Sequence, residues 1–78
     1  MKLPKTITAG ELADRNNPTA RAIWSAVKRG EARVTWENST IIGMMIDKKY
    51  NQLHLKIDEN TRIFTPPEMV LVVEALTA

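Results

Sequence analysis

Four side chains, Arg21, Ser25, Lys28 and Arg29, recur at three- and four-residue spacing with no acid between them. On a helix that spacing puts them on one face, giving a basic, hydrogen-bonding stripe that suits a polyanion. Lys48-Lys49-Tyr50-Asn51 forms a second basic cluster, and its tyrosine offers a stacking surface. If the helix enters a nucleic-acid groove, Thr19, Arg21 and Ser25 are expected near base edges and phosphates, Lys28 and Arg29 on the backbone, and Lys48, Lys49 and Tyr50 at a wing tip. A charged stripe is also what an ordinary solvated helix presents, so these residues alone select no partner.

Other chemistry is sparse. His54 is the single histidine, on the polar side of a predicted strand beside Lys56, where a solvated or hydrogen-bonded ring is expected rather than a general base. Ser25 and Ser39 fall on a helix face and in a turn, and neither sits in a nucleophile elbow. Three separated glycines make no phosphate-cradling loop. Asp47, Asp58, Glu59 and Glu74 fall on different predicted elements and lack calcium-loop spacing, although Asp47 and Asp58 could meet at neighbouring strand ends. The expectation is a protein that binds rather than catalyses, with no metal and no cofactor.

A chain of 78 residues can bury one hydrophobic core, so a single domain over residues 1–78 is expected. It has no cysteine, which excludes disulfides and thiolate metal sites and suits a reducing cytoplasm. The opening Met1-Lys2-Leu3-Pro4-Lys5 leads into no apolar run, so no signal peptide is expected, and no stretch approaches the ~20 apolar residues of a membrane span. Net charge is +2 and unevenly spread: residues 1–36 carry seven basic side chains against three acidic, residues 37–78 four against six. An anion would approach the N-terminal half first.

These residues need elements to position them. Thr8 and Glu11 form a capping box, and Ile7 and Leu12 are spaced as a hydrophobic staple, predicting a short helix over residues 9–15. Asn17 followed by Pro18 starts a second helix, over residues 18–29, with Ala20, Ile23, Trp24 and Val27 as its buried stripe and Gly30 ending it. Residues 31–37 alternate as a strand, with Ala32, Val34 and Trp36 inward, and a turn follows at residues 37–39. Residues 40–47 read as one central strand covered on both sides, with Gly43 at a bulge or close contact. Leu53, Leu55 and Ile57 alternate in another strand, and residues 62–64 form a short last one.

Thr65-Pro66-Pro67-Glu68 repeats the capping-box pattern, with Phe64 and Met69 as its staple, and predicts a C-terminal helix. Met69, Val72, Val73 and Leu76 would face the core, leaving Val70, Leu71 and Ala75 as a surface for a second copy or another protein. The resulting fold class is α+β, with an N-terminal helical pair, a three- or four-stranded antiparallel meander and a closing helix.

Residues 11–30 resemble the helix-turn-helix of small transcription regulators. Ala13 stands where that motif keeps a small residue, Asn17 at its turn and Ile23 at the apolar position within the second helix, while Pro18 and Trp24 depart from its pattern, Pro18 at an aliphatic turn position and Trp24 on the face turned toward DNA. The resemblance implies a DNA-binding dimer engaged in transcription regulation. A nearly equal alternative is an accessory protein of phage or plasmid type that modulates a host protein through the C-terminal helix or a sheet edge. A purely structural oligomer subunit is the third reading.

Overall fold

The computed structural model describes residues 3–76. In chain order it comprises β1 (Thr6–Thr8), α1 (Ala9–Ala13), α2 (Pro18–Lys28), β2 (Ala32–Trp36), β3 (Ser39–Thr40), β4 (Gly43–Asp47), β5 (Gln52–Asp58), β6 (Thr61–Phe64) and β7 (Val70–Ala75). Strands hold 43% of the described residues and helices 22%, so the expected α+β class gives way to a mostly β fold. One antiparallel sheet has the order β1-β7-β2-β3 and the other β4-β5-β6. Of the expected meander, three strands survive as the second sheet; β2 belongs to the first.

The N-terminal helical pair reduces to one helix of eleven residues preceded by a five-residue turn of helix. The local signals are real: the Thr8 side chain accepts from the Glu11 amide while Glu11 reaches back to Thr8, and Asn17 accepts from the Ala20 amide at 3.1 Å. α1 stops early because the Asp14 carboxylate takes the Asn16 amide at 2.9 Å, a local turn that competes with another helical bond. At its start, the Ala9 and Gly10 amides donate to the carbonyls of Met69 and Pro67 at 2.8 and 2.9 Å. A side chain at residue 10 would meet Pro67 at 3.1 Å, so glycine permits that approach. α2 ends as predicted, with Gly30 at φ +75. Ala26, absent from the predicted stripe, is buried beside Ala20 and Ile23, while Trp24 and Val27 are half-buried.

The predicted central strand over residues 40–47 is two strands in two sheets. The Ile41 amide donates to Val34 of β2 and the Ile42 amide to Lys56 of β5, both at 2.9 Å, so the chain changes sheets between them. The turn before β3 has positive φ at Glu37 and Asn38, the backbone of a tight hairpin whose twist matches its strands.

The largest correction concerns the C-terminus. Residues 70–75 form β7, which lies between β1 and β2 and pairs with both, rather than a helix. The Thr65 hydroxyl, expected to cap that helix, donates instead to the Leu53 carbonyl at 2.8 Å in a buried site. Met69 closes a turn onto Pro66 at 3.0 Å, and the β-branched run that follows alternates in burial with a period of two. Two ladders of backbone bonds outweigh a helix-starting signal. Leu71, expected on a partner surface, is therefore fully buried, and Val72 and Leu76, expected inward, are exposed. Val70 and Ala75 do reach the surface.

The core sits between the sheets and beneath the helices. Leu12 and Ile23 meet Val34, Leu71 and Val73 of the first sheet and Leu53 and Leu55 of the second. Among the described residues no helix is long and apolar enough to cross a membrane.

The two neighbouring positions on β7 make a direct test. Leu71→Asp places a carboxylate where exposure is 0%, at a cost of several kcal/mol against a total stability of about 5–15 kcal/mol, and should abolish the cooperative thermal transition. Val70→Asp, at a position 57% exposed, should shift stability by no more than about 1 kcal/mol. Circular-dichroism melting distinguishes them; equal melting of the two variants would contradict the strand.

Candidate nucleic-acid interface

α2 delivers its basic face to solvent. Arg21, Ser25 and Lys28 are exposed and lie on the side away from Ala20, Ile23 and Ala26. Arg29, also exposed, stands at the C-cap and pairs with Glu31, because Gly30 turns the chain back and brings the carboxylate beside it. Its charge is largely neutralised locally. Thr19 is half-buried and lies outside the stripe.

The hairpin between β4 and β5 places Lys48 beside this face, and a concave surface forms between them. One depression of about 550 Å³ is lined by Arg15, Asn16, Arg21, Trp24, Ser25 and Ile46. It adjoins a second of about 440 Å³ that shares Arg15, Asn16 and Ile46 and adds Lys48, Asn51 and Asp14. The result is a groove with three cations, Arg15, Arg21 and Lys48, and one acid. Among the described residues no carboxylate lies within ion-pairing distance of those cations; the pairs present are Arg29 with Glu31, Arg33 with Glu74, and His54 with Asp47 at 4.0 Å. Asp14 spends one carboxylate oxygen on the Asn16 amide.

Trp24 fixes the groove wall. Its indole N–H donates to the Leu12 carbonyl at 2.8 Å. A helix of five residues leaves its last carbonyls without helical partners, and this bond satisfies one of them while locking α2 against α1. The residue that would face DNA in a helix-turn-helix thus holds the two helices together, with part of its ring lining the groove.

The remaining predicted positions disperse. Lys49 lies 5.4 Å from the Tyr50 ring centroid, so the tyrosine face expected to stack on a base is taken by a neighbouring cation. Lys28 lines neither depression. Asp47 and Asp58 do not meet: Asp47 pairs with Gln52 at one end of β5, and Asp58 occupies the other. The His54 ring is partly exposed, and its Nε2 is buried without a hydrogen bond, 4.0 Å from the Asp47 carboxylate.

Sequence reasoning missed Arg15, Asn16 and Ile46. Arg15 and Asn16 follow a broken helix, which reads as an ordinary connection, and Ile46 has the type of a core residue. Their convergence depends on where the second sheet packs. No family model, curated protein or solved structure matches the chain.

Replacing Trp24 by Phe keeps most of the apolar area but removes the donor to Leu12. Stability should fall by about 1 kcal/mol, seen as a lower urea midpoint at unchanged slope. A midpoint equal to that of the parent protein would show that the indole bond does not secure the helices.

Proposed function

We propose that the protein is a small, non-catalytic regulator that binds nucleic acid in the groove between α2 and the β4–β5 hairpin. The supporting observation is the convergence of Arg15, Arg21 and Lys48, from three separate chain segments, on one concave surface with no ion-pair partners among the described residues. Cations left unpaired in this way are free to displace the counterions of phosphates. Ser25, Asn16 and Asn51 add hydrogen-bonding groups beside them, and the partly covered Trp24 ring adds an apolar wall. Lys28, on the same helix face, extends the positive surface beyond the groove.

A protein partner remains the second reading because Val70 and Val72 are exposed side by side on the outer face of β7. Their neighbours across the sheet are Thr6, Thr8 and Thr35, so the apolar strip is narrow and polar-bordered. The groove offers the more specific chemistry.

Fluorescence anisotropy with labelled oligonucleotides over a salt series tests the proposal. Binding should weaken as salt rises, and the triple variant Arg15→Ala, Arg21→Ala, Lys48→Ala should lower the slope of log affinity against log salt by about 2 to 3, from roughly 0.7–0.9 per lost phosphate contact. Absence of binding to either single- or double-stranded probes at low salt would reject the groove as a nucleic-acid site. Recovery of a stoichiometric protein complex abolished by Val70→Asp would support the second reading.

A further inference from the structure

The outer face of the second sheet has a composition that neither the core nor the groove explains. Strand register places Met45, His54 and Phe64 in one row across β4, β5 and β6, and Gly43, Lys56 and Arg62 in the next. Side chains alternate across a sheet, so Met44, Leu55, Ile63, Ile46 and Leu53 take the core side and these two rows the open side. Phe64 is 64% exposed and Met45 52% exposed. The His54 ring lies 4.2 Å from the Phe64 ring, tilted by 59°, and its Nε2 is covered without gaining a hydrogen bond. Met45 and Phe64 therefore present a thioether and an aromatic ring to solvent on either side of His54. Gly43 contributes no side chain, and a shallow depression of about 100 Å³ lies beside it, lined by Met45, His54, Lys56 and Arg62 among others.

Two cations flank this row. Among the described residues Lys56 and Arg62 have no carboxylate within ion-pairing distance. Two acids share the face: Asp47 accepts the Lys49 amide at 2.9 Å through one oxygen and holds the other 4.0 Å from the His54 Nε2, and Asp58, at the far end of β5, accepts the Asn60 amide at 2.8 Å. The Asp58 carboxyl is held below the ordinary carboxylate range, chiefly by the Asn60 amide, then by the Thr61 side chain, with the charge of Lys56 the smallest contribution.

We infer that the Met45–His54–Phe64 row, flanked by Lys56 and Arg62, stacks the bases of a single-stranded nucleic acid. Such a strand supplies both unstacked base faces for the aromatic row and phosphates for the two cations. A duplex presents phosphates but hides its base faces, leaving Phe64 and Met45 with nothing to cover them. The inference rests on the nucleic-acid reading of the groove and adds the strandedness of the ligand.

The test uses the full chain with three labelled probes of equal length: a thymidine homopolymer, an abasic sugar-phosphate strand and a duplex. The parent protein should favour the thymidine strand. Phe64→Ala should weaken binding to that strand by about tenfold, the size of one lost base stack, and leave the abasic strand unaffected, while Phe64→Tyr retains affinity. Crosslinking from 5-iodouracil in the same strand should label Phe64 or His54. Equal affinity for thymidine and abasic strands, or an unchanged Phe64→Ala, overturns the platform while leaving the groove intact. Failure of the parent protein to bind any probe at low salt removes both proposals. A change in sedimenting mass on Phe64→Ala, with oligonucleotide affinity unchanged, would assign the face to a second copy and overturn the platform.

Discussion

Two consecutive amides hold this fold together: the Ile41 N–H bonds to β2 and the Ile42 N–H to β5. Between β3, which ends at Thr40, and β4, which begins at Gly43, the chain turns from one sheet to the other, with Ile41 buried in the core and Ile42 exposed. The turn sends β4 away from the first sheet and into the second. It also places the β4–β5 hairpin beside α2, which brings Ile46 and Lys48 against the residues that follow α1. The groove follows from where one strand ends and the next begins, since no single element contains it.

The helices are held by exchange of otherwise unpaired backbone groups. α1 is too short to satisfy its own ends, so its first amides go to the turn at residues 66–69 and its Leu12 carbonyl goes to Trp24. Thr65 reaches in the other direction, to the Leu53 carbonyl, and ties the end of β6 to the second sheet. These contacts join segments far apart in sequence. They make the C-terminal strand and the N-terminal helix mutually dependent, because the turn that receives the amides of α1 is the one that launches β7.

That dependence explains how far the sequence could be read. The capping box at Thr8, the Asn17–Pro18 start, the Gly30 stop and the alternating patterns of β2 and β5 are local signals with no stronger competitor, and each describes the structure. The Thr65–Glu68 pattern is equally regular in sequence but loses to two long-range ladders on β7, whose partners β1 and β2 lie 64 and 37 residues away at the paired positions Ile7–Leu71 and Thr35–Val72. Likewise, Arg21, Ser25 and Lys48, singled out by type and spacing, do line the groove. The loss of Arg29 to Glu31 depends on the turn at Gly30, and the gain of Arg15 depends on packing against the second sheet.

The same period-two geometry that divides core from solvent also divides the two proposed surfaces of the β4–β5 ribbon. Ile46 and its partner Leu53 point toward the helices, while Met45 and its partner His54 point outward. A slip of one residue in either strand would exchange those sets, burying His54 or Met45 and exposing Leu53 or Ile46. The Lys48–Asn51 turn, with Asn51 at φ +51 and Asp47 accepting the Lys49 amide, fixes that register at its closed end. Changes in this turn therefore act on the groove and the open sheet face together, even though the residues that would touch a ligand lie on opposite sides of the ribbon.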